Sequence, residues 1–130
     1  MINSSRPAPE QTTSGAIAAA AQQISHTIGA KAIVAFTASG STSLRVARER
    51  PESPVIGLTP KMETARRLAV VWGVHALVTP DVHSMTEAVN RASRVAVAEG
   101  FAVSGEEIVV TAGVPFGHSG TTNALRVTTV

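Results

Sequence analysis

Two stretches of small residues carry most of the polar chemistry in this 130-residue chain. Thr37, Ser39, Gly40, Ser41 and Thr42 crowd together directly after an apolar run, Ala32 to Phe36. Gly117, His118, Ser119, Gly120 and Thr121 lie in a second loop, Gly113 to Asn123. Hydroxyls and glycines ahead of a helix make an anion cradle, because the first N–H groups of a helix and its dipole favour negative charge. The same residues also fit ordinary helix capping, with Ser41 or Thr42 as the N-cap. The spacing is not that of a Walker loop, since no Gly-Lys-Ser/Thr follows. If the two loops face one another, a phosphorylated small molecule between them is held by both. Phe116 and His118 then contact its sugar or base.

The remaining polar residues offer less chemistry. His26, His75, His83 and His118 show no metal-ligand spacing, and only His118 lies in a glycine-rich loop. His26 falls on the polar side of the first helix. Glu106-Glu107 opens a strand and reads as a solvated strand end. Asp81 starts a turn with Pro80. Arg45 and Arg48 lie three apart on one helix, suited to assisting an anion, forming an interface or keeping a face wet. Arg66 and Arg67 belong on an outer helix face. Met62 and Trp72 fit core or interface positions. No nucleophile–base set is present, so no catalytic residue and no metal ligand is assigned.

Composition narrows the classes further. There is no Cys, which removes disulfide scaffolds, Cys-ligated zinc, iron–sulfur clusters and thiol catalysis. Eleven Lys+Arg against nine Asp+Glu leave a formal charge of +2, and aromatics are 3% of the chain. A nucleic-acid-binding face wants clustered cations and, for single strands, stacking rings. Only Phe36, Trp72, Phe101 and Phe116 could stack, and they are scattered, so nucleic acid is not an expected partner. No apolar run approaches the ~20 residues of a membrane span. The start of the chain lacks a signal-peptide core. These features point to a cytoplasmic protein with no membrane partner.

The elements that must position the two loops follow from periodicity. Residues 1–14 are rich in Ser, Pro, Gln and Thr and read as a disordered tail or linker. Residues 15–130 form one α/β domain. Ile17, Ala21, Ile24 and Ile28 mark a helical stripe ending at Gly29. Ala32 to Phe36 is a short apolar run suited to a strand buried on both faces. A short helix from Leu44 ends at Pro51. Val55 to Leu58 is a second strand, with Thr59-Pro60 read as N-cap and first helical residue. Met62, Ala65, Leu68, Ala69 and Trp72 form the next stripe, closed by Gly73. Val74 to Val78 is a third strand. Ser84-Met85-Thr86-Glu87 is a capping box before a helix through Ala88, Ala92, Val95 and Ala96. Ile108 to Ala112 and Leu125 to Val130 are the last two strands. Alternation of this kind predicts a parallel sheet with helices on both faces. The final connection holds no helix, so the fifth strand returns antiparallel at an edge. Both loops then lie beyond the carboxyl ends of parallel strands, where open α/β sheets bind ligands.

Several ordered motifs resemble one family. Gly29-Ala30-Lys31-Ala32-Ile33-Val34-Ala35-Phe36-Thr37-Ala38-Ser39-Gly40-Ser41-Thr42, then Val46-Ala47-Arg48-Glu49-Arg50-Pro51, resembles the C-terminal domain of pyruvate kinase. Pro54 to Pro60 with Thr64-Ala65-Arg66-Arg67-Leu68, and Ser119-Gly120-Thr121-Thr122-Asn123 before a terminal strand, fit the same pattern. The resemblance implies a three-layer α/β/α fold whose mixed five-stranded sheet has order 3-2-1-4-5, with strand 5 antiparallel. It implies an allosteric effector site in which Thr37, Ser39, Gly40, Ser41 and Thr42 cradle a phosphate, and Gly117, His118, Ser119, Gly120 and Thr121 form the effector loop. Ala88 stands where some members carry an Arg, and Val114-Pro115 opens the loop in place of a Trp-Arg-Pro start. A sugar monophosphate or a nucleotide suits these positions better than a bisphosphorylated sugar. The resemblance also implies a homo-oligomer and a possible pyruvate kinase catalytic domain as partner. The family's catalytic residues and its Mg²⁺ and K⁺ lie in a barrel absent from this chain. The chain alone therefore holds no cofactor and is not expected to transfer phosphoryl from phosphoenolpyruvate to ADP. The alternative roles are a structural assembly module or a stand-alone phosphometabolite-binding protein.

Overall fold

The computed structural model describes residues 13–38, 40–49, 51–113 and 123–130. The sheet has five strands in the order β3-β2-β1-β4-β5. These are β1 (Ile33–Phe36), β2 (Val55–Thr59), β3 (Val74–Val78), β4 (Glu107–Ala112) and β5 (Ala124–Thr129). β1 pairs in parallel with both β2 and β4, β2 pairs in parallel with β3, and β5 runs antiparallel to β4. The helices are α1 (Thr13–Ile28), α2 (Ser41–Arg48), α3 (Met62–Leu68) and α4 (Met85–Ala98). Thr13 and Ser14, placed in the tail by composition, are already helical; the rest of the tail lies outside the described residues.

Strand side chains alternate between two cores. Ile33, Val55, Val74 and Val109 pack with Ala18 and Ala21 of α1, Val46 of α2 and Leu68 of α3. Val34, Ile56, Leu58, Ile108 and Val110 pack with Ala92 and Ala96 of α4 on the other face. The result is the three-layer α/β/α arrangement, with the antiparallel fifth strand at one edge. Full burial of each Val, Ile or Leu contributes roughly 1.5–3 kcal/mol, and helices faced with Ala approach the sheet closely.

Three local readings change. The buried stripe of α1 is Gly15, Ala18, Ala21 and Ser25, so the helix turns its small residues inward and its isoleucines flank the contact. Ser25 is tolerated because its hydroxyl lies 2.8 Å from that of Ser53, which donates to the Ala30 carbonyl at 2.6 Å. Thr59 finishes β2 rather than capping α3, whose N-cap is Lys61; its hydroxyl accepts the Lys61 N–H at 3.2 Å. α3 stops at Leu68, so Trp72 does not continue its stripe. Trp72 is 94% exposed, and Met62 is exposed as well. The Ser84 half of the α4 capping box forms, while the Glu87 carboxylate reaches one residue further back than the N-cap. The Ser84 hydroxyl accepts the Glu87 N–H at 3.1 Å, and the Glu87 carboxylate accepts the His83 N–H at 2.9 Å.

Candidate functional site

The connection β1–α2 leaves on one face of the sheet, and α4 brings the chain back to β4 on the other. The carboxyl ends of β1 and β4 therefore flank a point where the strand order reverses, the usual ligand crevice of such sheets. The first small-residue loop sits at this point.

Its geometry begins with Gly40, which is the N-cap of α2 at φ 93° and makes no side-chain cap hydrogen bond. Left-handed backbone of this kind strains any residue with a Cβ. A Cβ here would also lie 3.4 Å from Leu68 Cδ2 and 3.5 Å from Thr64 Cγ2. The Gly40 N–H donates to the Thr37 hydroxyl at 2.7 Å, and the Gly40 carbonyl accepts the Leu44 N–H at 3.0 Å. Thr37 thus closes the loop on itself while its own N–H donates to Leu58 of the neighbouring strand. The loop is also tied from outside. Thr64 of α3 donates its hydroxyl to the Ala38 carbonyl at 2.9 Å, and the Arg67 guanidinium reaches the Thr64 hydroxyl at 3.3 Å. Reading the sequence left Thr64 unassigned and placed Arg67 on an outer face. Thr64 braces the loop through a contact 26 residues apart that no local pattern signals, and Arg67 holds Thr64 from three residues on.

The expected hydroxyls are not equivalent. Thr37 and Thr42 are buried, at 7% and 3% exposure, whereas Ser41 at the start of α2 is half-buried. Ser39 lies outside the described residues, as do Gly117, His118, Ser119, Gly120 and Thr121 with their neighbours Phe116 and Val114-Pro115. Ala88 is fully buried on α4. The other candidates take structural roles. His26 Nδ1 lies 3.2 Å from a Glu52 carboxylate oxygen in a mostly exposed pair. Glu106 lies 3.6 Å from Lys31 and accepts the Val103 N–H at 2.8 Å, closing a turn. Asp81 accepts the Val82 N–H at 3.0 Å. His75 meets Phe101 edge-on with ring centroids 4.8 Å apart. Among the described residues, no three His, Asp or Glu side chains gather to hold a metal ion, and no helix is long and apolar enough to cross a membrane.

Residues 15–128 match the family described as "Pyruvate kinase, alpha/beta domain". A pyruvate kinase of Methylorubrum extorquens is 50% identical over 127 residues, which make up 98% of this chain and 27% of that protein. One from Agrobacterium vitis is 41% identical, again over 98% of this chain and 27% of its own length. Among solved structures, a pyruvate kinase from Cryptosporidium parvum superposes with a TM-score of 0.81 at 28% identity, covering 95% of this chain and 23% of that one. The chain spans about a quarter of the length of the curated relatives it matches.

Proposed function

Because the chain belongs to the pyruvate kinase alpha/beta-domain family, we propose that it is the regulatory C-terminal portion of a pyruvate kinase. In this role it binds a phosphorylated effector, a sugar monophosphate or a nucleotide, between the β1–α2 loop and the Gly113–Asn123 loop. The observation that carries this reading is the braced, glycine-capped start of α2 at the switch point. Gly40 caps that helix and carries no side chain, so a ligand can approach the first backbone N–H groups of α2 without an N-cap side chain in the way. Thr37, Thr64 and Arg67 hold the loop in place before a ligand arrives, which lowers the ordering cost of binding. Thr42 is buried and supports the helix start, while Ser39, Ser41, Gly117, His118, Ser119, Gly120 and Thr121 are the proposed ligand contacts.

The proposal extends to assembly. β5 is an edge strand whose outer side pairs with nothing among the described residues. Unpaired edges invite another strand unless they are covered, which supports a homo-oligomer. Phosphoryl transfer from phosphoenolpyruvate to ADP is assigned to a catalytic portion outside this chain. The Mg²⁺ and K⁺ of that reaction are assigned to the same catalytic portion.

Calorimetry tests the effector site. Inorganic phosphate, sugar monophosphates and nucleotides are titrated into the full chain and into a Ser39→Ala, Ser41→Ala variant. A loss of about tenfold or more in affinity, about 1.4 kcal/mol, is expected in the variant. Equal binding by both proteins would remove the phosphate cradle. Sedimentation of the full chain tests the oligomer.

A further inference from the structure

Neither small-residue loop contains a lysine or an arginine. Residues 37–42 carry no charge, and in residues 113–123 only His118 can acquire one. A permanent positive charge at the crevice has to come from a neighbouring element, and α3 brings one there. Arg67 lies in the last turn of α3 and is exposed. Its guanidinium turns back along the helix and donates to the Thr64 hydroxyl at 3.3 Å. Thr64 is buried, and its hydroxyl in turn donates to the Ala38 carbonyl at 2.9 Å. Thr64 Cγ2 also lies 3.5 Å from where a Cβ of Gly40 would stand. A single side chain, Thr64, therefore links the guanidinium to the β1–α2 loop and lies against the N-cap of α2.

Two ordinary roles explain less. A cation in the last turn complements the helix dipole, but Arg66 in the same turn already supplies that charge. Bracing Thr64 takes one neutral donor. A guanidinium holds five donors in a rigid planar fork that matches phosphate, and it is always charged. Hydrogen bonds from a charged donor are roughly twice as strong as those between neutral groups. From this placement we propose that Arg67 is a specificity-determining residue of the crevice, the charged group through which it selects a dianionic phosphomonoester over a singly charged anion of the same shape. The proposal rests on the effector-site reading above. It adds the charge that the ligand must carry. Backbone N–H groups and hydroxyls receive either anion, whereas a nearby cation attracts the doubly charged one more strongly.

Glucose 6-phosphate and glucose 6-sulfate are the probes, because they share the sugar, the ester linkage and the tetrahedral oxygens. At about pH 8 the phosphate ester carries nearly two negative charges, its second pKa being about 6, and the sulfate ester carries one. Calorimetry is run at low ionic strength, where exposed charges are screened least. The full chain should bind the phosphate ester about tenfold more tightly than the sulfate ester. Arg67→Gln retains a donor for Thr64 but removes the charge, and the preference should fall to about twofold or less. Arg67→Lys retains the charge and should keep most of the preference. Thr64→Val should weaken both esters alike and leave their ratio unchanged, which a purely bracing role for Arg67 would also do. A preference that survives Arg67→Gln overturns the proposal. Arg45, on α2 four residues after Ser41, is the control. Loss of the preference in Arg45→Gln and not in Arg67→Gln places the charge on the other helix and also overturns it. Arg67 is exposed, so its substitution should leave the fold intact by circular dichroism; should Arg67→Gln not fold, Arg67→Met reads the same ratio. The Ser39→Ala, Ser41→Ala variant separates the two possible failures. If it loses both esters while Arg67→Gln keeps the ratio of the unsubstituted chain, only the role of Arg67 falls. If the unsubstituted chain binds neither ester, the effector reading falls as well.

Discussion

Gly57 is the position at which a single methyl group should test how closely β2 packs against α2 and α3. It sits in the middle of β2, facing α2, and its backbone lies outside the left-handed region, so alanine is conformationally acceptable. A Cβ there would lie 2.7 Å from the Ser43 hydroxyl, 3.4 Å from Ser43 Cβ and 3.3 Å from Leu68 Cδ1. Real Cβ atoms do not tolerate the first of these distances, so α2 must move outward or Ser43 must turn. Overpacking of this kind costs about 1–3 kcal/mol. The restricted unfolded chain of alanine returns about 0.4–1 kcal/mol. The net expectation for Gly57→Ala is a loss of about 1–2 kcal/mol, or roughly a 1 M shift in a urea midpoint for a domain of this size. Ser43 provides the internal control. Its hydroxyl is fully buried without a hydrogen-bond partner among the described residues, so Ser43→Ala should be neutral or stabilising by about 1 kcal/mol. In that background the closest atom is gone and the remaining distances are tight but tolerable, so Gly57→Ala should cost little. The double-mutant cycle should return a coupling of about 1–2 kcal/mol. Urea unfolding followed by circular dichroism reads all four proteins. An equal penalty for Gly57→Ala in both backgrounds would refute the packing argument.

Other substitutions probe the loop and the core more simply. Gly40→Ala forces a Cβ into left-handed backbone at φ 93°, which should cost about 1–2 kcal/mol in thermal or urea unfolding and weaken phosphate binding in calorimetry. Thr64→Val removes the hydroxyl that holds the Ala38 carbonyl; stability should fall by about 1 kcal/mol, and phosphate affinity should fall with it. Thr111→Val replaces a fully buried hydroxyl that has no partner among the described residues with a methyl of similar shape, and should raise the unfolding free energy by about 1 kcal/mol.

The alternation of apolar runs and helical stripes was enough to place all five strands and four helices in order. Burial on both sheet faces forces continuous apolar runs such as Ile33 to Phe36, and these contrast sharply with the helix period. The antiparallel fifth strand was readable because no helix-length segment separates it from β4. Details governed by contacts distant in sequence were not readable. The α3 stripe runs on to Trp72 in the sequence, but the helix ends at Leu68 and the turn leaves Val70 and Trp72 exposed. The inward face of α1 was misplaced because apolar size marked the isoleucines, whereas close packing selects Ala18 and Ala21. Within the crevice, the hydroxyl-rich loop was recognisable by composition. Its bracing by Thr64 and Arg67 was not, because that depends on how α3 lies beside the loop.

Helix α2 is only eight residues long, about 12 Å from end to end. Its first residue, Ser41, adjoins the proposed effector crevice, and Leu44, Ala47 and Arg48 line a groove of about 990 Å³ that Trp72 also lines. One rigid rod of less than three turns therefore belongs to both surfaces. If the proposed effector also binds one setting of the rod better, a contact in the groove that favours that setting alters effector affinity by some factor. Thermodynamic linkage then requires the effector to alter the strength of that contact by the same factor. A measurement at either end of α2 thus reports on the other, without a chain of relays between them.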